Sequence, residues 1–139
     1  MINLFDLHCD TPTLCLQQNI AFNNEKTAVN EKSLKSFNKA VQICAIFTKD
    51  DAENPFENYK KTLEFFKANV SLPINDLTKE HTILLSCEGL SILQGNPQRV
   101  YELFSDGIRT TCLTWNGEND LAGGVLTDSG LKEKGRQVI

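Results

Sequence analysis

The sequence predicts an α/β protein: four parallel strands alternating with helices, the N-terminal half of a (β/α)8 TIM-like barrel. Three observations lead there. Four short apolar runs are separated by stretches with helical spacing or helix-start signals, and that alternation implies right-handed βαβ units in a parallel sheet. No Gly-x-Gly-x-x-Gly follows the first run, which argues against a dinucleotide-binding sheet. Polar residues collect where the strands end, at His8 and Asp10, at Glu88, and from Trp115 through Asp120, and a barrel assembles its site at those ends. A full barrel takes about 250 residues. The 139 residues here would supply at most four of its eight units, as a single domain over 1–139.

The first strand is expected within Ile2–Thr11, INLFDLHCDT, with His8 and Asp10 at its C-terminal end, followed by Pro12 in the first turn of a helix over Thr13–Gln18. Asn19–Lys32 reads as a polar loop, with Ser33 capping a short turn through Leu34 and Phe37. Ala40–Thr48, AVQICAIFT, is a strand buried on both faces. Asn54-Pro55 starts a helix, cap then proline. Phe56, Tyr59, Leu63, Phe66 and Val70 then recur at spacings of three and four, one stripe for packing on a sheet. Thr82–Cys87 is the third strand. Asn96-Pro97 repeats the start signal, with Val100, Leu103 and Phe104 as the inner face and Gly107 at the left-handed stop. Ile108–Trp115 is the fourth strand, Asn116–Gly124 a loop, and a last helix begins near Leu131.

Composition excludes several classes. The net charge of −4 offers no basic field for nucleic acid or an anionic membrane. No apolar run approaches the roughly 20 residues of a membrane span. The N-terminus lacks a basic segment followed by an apolar one, so a cytoplasmic protein is expected. The five cysteines form no C-x-x-C pair, and Cys44, Cys87 and Cys112 lie in apolar runs, as small buried hydrophobes would.

The chemistry centres on His8-Cys9-Asp10. In a strand, residues two apart share a face, so His8 and Asp10 project together, an imidazole and a carboxylate suited to a divalent metal. The pair fits equally a loop histidine and a helix-start aspartate before Pro12. Glu88, from another strand end, could complete the set and bridge two cations, or be a solvated helix-start residue. Two metals would activate a shared water and polarise a carbonyl, the chemistry of amide hydrolysis. His81 precedes its strand, at the opposite end, and reads as surface. Cys87 lacks a histidine partner for nucleophilic work.

DLHCDT, LLSCEGL, GIRTTCLTWNGENDLAGG and SGLKEKGRQVI, in that order, resemble the membrane (renal) dipeptidase family of zinc metallopeptidases, its bacterial cytoplasmic members above all. VNEKSLKSFNKAVQICAIFT is similar to the family's approach to its second strand. The resemblance covers the whole chain but only the first half of a family member. It implies a (β/α)8 hydrolase with a binuclear zinc centre that cleaves dipeptides, many members tolerating a D-residue on the C-terminal side. His8 and Asp10 match the pair holding one zinc, and Glu88 the carboxylate bridging both. The other ligands, two histidines, and the arginine and aspartate that serve substrate binding and proton transfer, belong to the second half. Many members carry a substrate-contacting histidine where this chain has Trp115, followed by Asn116; Trp115, Asn116 and Asn119 would then shape the dipeptide pocket, or Trp115 would pack at the barrel rim.

A half-barrel leaves two classes open: the amino-terminal part of a zinc dipeptidase, inactive alone, or a non-catalytic binding or assembly module with vestigial ligands. Its open strand edges are expected to recruit a second copy or the C-terminal half. Other metal-dependent barrel hydrolases, such as amidohydrolases, usually begin with His-x-His, and the second ligand here is Asp10.

Overall fold

The computed structural model describes residues 2–139. Four strands, β1 (Leu4–Cys9), β2 (Ala40–Phe47), β3 (His81–Glu88) and β4 (Ile108–Thr111), form one open sheet in the order β1-β2-β3-β4. The helices are α1 (Thr11–Gln18), α2 (Glu31–Leu34), α3 (Pro55–Ala68), α4 (Arg99–Ser105) and α5 (Glu133–Val138), with a 3-10 turn at Ser91–Leu93. Four parallel strands alternating with helices are half the complement of a (β/α)8 barrel.

By its contacts the chain divides into two compact units, one running to Ile46 and including Lys61–Ser86, the other made of Phe47–Lys60 and Cys87–Ile139. In the first, β2 is buried along nearly its whole length, as its run of β-branched and small residues requires. β1 is its parallel neighbour, with Leu4, Phe5 and Asp6 opposite Ala40, Val41 and Gln42. Phe66, from the α3 stripe, meets Phe22 edge to face with centroids 5.3 Å apart. The polar stretch before α2 is therefore tied down at Phe22, whose N–H also donates to the Asn69 carbonyl. Glu31 is buried there, and Ser71 donates to it from its backbone N–H (2.6 Å) and its hydroxyl (2.5 Å).

In the second unit, Leu90, Ile92, Leu93, Leu103, Ile108 and Leu121 form the core. Tyr59 is fully buried and donates to Asp106 at 2.9 Å, where Lys60 also binds. The loop after β4 is braced at Asn119. Its amide donates to the Leu113 carbonyl and accepts from the N–H groups of Leu121 and Ala122. Lys132 closes the loop by donating to the Asn119 carbonyl and pairing with Glu118.

Several expectations need correction. α2 is capped by Asn30: its side chain accepts from the Ser33 N–H, while the Ser33 hydroxyl accepts from the Asn30 N–H, so Ser33 is the third helical residue. β4 ends at Thr111, four residues short of Trp115, and Cys112 beyond it is exposed. α4 begins at Arg99 because Asn96-Pro97 builds a preceding turn, in which Asn96 accepts from the Gln98 N–H. Phe104 lies outside the core, under the Arg109 guanidinium at 4.5 Å. His81 is half-buried, its Nε2 3.1 Å from the Phe37 carbonyl. The left-handed stop after α4 at Gly107 (φ 97°) stands as expected.

Candidate metal centre

The end of β1 is shaped by a register shift. Between Asp6 and Cys9 the pairing with β2 advances three residues on one strand and two on the other, so that Cys9 falls opposite Cys44. Such a bulge re-aims side chains: Leu7 and His8 are both exposed in succession, and Cys9 turns inward. Asp10 lies outside the strand, as the residue from which α1 starts, with φ −90° and ψ 13°. Its carbonyl accepts from the Thr13 and Leu14 N–H groups, yet its carboxylate makes no capping hydrogen bond. That carboxylate instead stands 3.3 Å from His8 Nε2. Both side chains are solvent-facing, His8 at 48% and Asp10 at 59%. Asp6 accepts from the His8 backbone N–H at 3.4 Å.

Glu88 is the last residue of β3 and is half-buried. Gly89 follows with φ 86°, a conformation that side chains rarely adopt, and its Cα packs so closely that a Cβ there would lie 3.1 Å from the Trp115 backbone nitrogen. His8 and Asp10 belong to the first unit and meet within it, while Glu88 belongs to the second, at the end of β3. An imidazole nitrogen and carboxylate oxygens are donors that suit zinc.

Trp115 is 42% exposed and held by Phe47, ring centroids 4.8 Å apart. Asn116 uses its carbonyl to accept from the Leu126 N–H, and Asn119 is the loop brace described above. Behind His8, the Cys9 and Cys44 sulfurs are 3.5 Å apart. The hydrogen bond from Cys44 brings the Cys9 thiol down to about 7, against the opposing effect of burial, while burial pushes Cys44 well up. Periodicity could not reveal this pair, because it depends on the bulge.

A parallel β/α sheet with His8 and Asp10 at the C-terminal end of β1 is the kind of frame on which barrel enzymes build their sites. The model of the membrane dipeptidase family (peptidase family M19) matches residues 1–139, and the chain belongs to that family. A comparison with curated proteins finds no match. No helix among the described residues is long and apolar enough to cross a membrane.

Proposed function

We propose that this chain is the N-terminal half of a zinc-dependent dipeptidase, and that His8, Asp10 and Glu88 are its ligands to a binuclear centre. The reading rests on one observation: the paired His8 and Asp10 at the end of β1, in a chain matched along its whole length by a dipeptidase family. Zinc, when bound, would lower the pKa of a water and polarise the scissile carbonyl. The protein's own part is positioning. His8 presents Nε2, with its backbone held by Asp6. Asp10 offers a carboxylate that α1 does not use. Glu88, at the end of β3, would hold the metal through its carboxylate and serve as the catalytic group. Trp115, steadied by Phe47, and Asn116 border the dipeptide, and Asn119 fixes the loop that carries them.

Three ligands fall short of two four-coordinate ions, so this chain alone is expected to turn over no dipeptide. A second reading, an assembly module, draws on β1, where Phe5 and Leu7 are 61% and 66% exposed although a parallel sheet normally covers both faces. In either case the partner is a second copy of the chain or the C-terminal half of such a barrel, in the cytoplasm, with neither nucleic acid nor membrane involved.

Zinc titration separates the two. Stoichiometric binding that weakens in Asp10→Asn and in Glu88→Gln supports the dipeptidase reading, and absence of binding supports the module. Hydrolysis of L-Ala-D-Ala by this chain alone, abolished in Glu88→Gln, would overturn the claim that it is inactive without a partner.

A further inference from the structure

We propose that Cys9 and Cys44 are a reversible oxidation site, closing to a disulfide between β1 and β2. Cys9 and Cys44 are register partners on adjacent strands. Neighbouring strands run about 4.8 Å apart, inside the Cα separation of about 4.4–6.8 Å that disulfides take. The sulfurs already face each other at 3.5 Å, so a bond of about 2.05 Å needs only a small side-chain movement. Of the five free cysteines, these two are buried together, and they differ in access. Cys9 retains 8% exposure, enough for a small oxidant, whereas Cys44 has none.

The order of events follows from that difference. Hydrogen peroxide oxidises Cys9: its O–O bond breaks, one oxygen joins the sulfur as a sulfenic acid, and the other leaves as water. The Cys44 sulfur then attacks the Cys9 sulfur. The S–S bond forms, the S–O bond breaks, and a second water leaves with the Cys44 proton. The two thiols have given up two electrons to the peroxide, and a dithiol reductant returns them. The link closes a loop through the residues between Cys9 and Cys44 and restrains the unfolded chain. It forms whether or not a cation is held beside it.

The test treats the intact chain with hydrogen peroxide, alkylates it under denaturing conditions and maps the peptides. The expected result is loss of two of the five alkylatable thiols, a linked peptide pair containing Cys9 and Cys44, a raised unfolding midpoint, and full reversal by dithiothreitol. In Cys44→Ser, Cys9 should accumulate as a sulfenic acid captured by a cyclic 1,3-diketone. Recovery of all five thiols would overturn the proposal, as would links made only through the exposed Cys112. The wild-type map decides by itself if the variant does not fold.

Discussion

Asp10→Asn is the sharpest probe of the proposed metal centre, because it removes a charge and keeps the shape. Asp10 and His8 are both largely solvent-facing, so the dielectric around them is near that of water. A carboxylate in contact with a dication at about 2.1 Å is then worth roughly 4 kcal/mol of Coulomb attraction. Water entering the vacated position returns part of that, leaving a loss of about a hundredfold in zinc affinity, or roughly 2.7 kcal/mol. The carboxylate caps no helix N–H, so the circular dichroism spectrum should not change. Competition against a chromophoric chelator measures the affinity, with Asp51→Asn, on an exposed acidic turn, as a control that should bind as wild type. Equal affinities for wild type and Asp10→Asn would refute the reasoning.

Glu31→Gln tests the anchor of the first unit. Burial raises the Glu31 carboxyl, but the two Ser71 hydrogen bonds and Lys35 outweigh it and hold the group below the usual carboxylate range. Losing the charge should cost about 2 kcal/mol at pH 7. Because the folded-state value is depressed, this stability is present above the ordinary glutamate pKa of about 4.3 and disappears as pH falls through the lower folded value. Urea melts at pH 7 and pH 3 should therefore differ more in wild type than in Glu31→Gln; parallel pH dependence would contradict it. Gly89→Ala places a Cβ 3.1 Å from the Trp115 nitrogen at φ 86° and should lower stability by about 1–2 kcal/mol, read from thermal melts. Light scattering should report dimers or larger species as concentration rises, through the exposed face of β1; a monomer throughout the range would count against the proposed partner.

The strands and α3 were legible because their signals are periodic. AVQICAIF is apolar on both faces and comes out buried, and the stripe from Phe56 puts Tyr59, Leu63 and Phe66 inside. What escaped was set by turns and caps. Asn30 and Ser33 cap reciprocally, but Asn-x-x-Ser lacks the acidic partner by which a capping box is usually recognised. Asn96-Pro97 looks like a helix start and forms the turn before one, since a proline at φ near −65° fits both. Cys112 and Trp115 extend an apolar run past the end of β4, where the Leu113 carbonyl accepts from both the Leu90 N–H and the Asn119 side-chain amide.

The candidate centre illustrates the same division at atomic scale. Period-two alternation predicts that His8 and Asp10 share a face, and they do meet, but not for that reason. Asp10 has left the strand, with φ −90° and ψ 13° outside the extended region, and its carboxylate stands 3.3 Å from His8 Nε2. The bulge before Cys9 does the rest, turning His8 outward and the thiol inward in consecutive residues. A regular strand would have aimed His8 by the same register that sets Leu4 and Asp6. The irregularity lets one short segment present a donor pair to solvent and still pair Cys9 with Cys44 in the interior. The chemistry at this strand end therefore depends on the one feature that residue spacing does not encode: where the strand stops being regular.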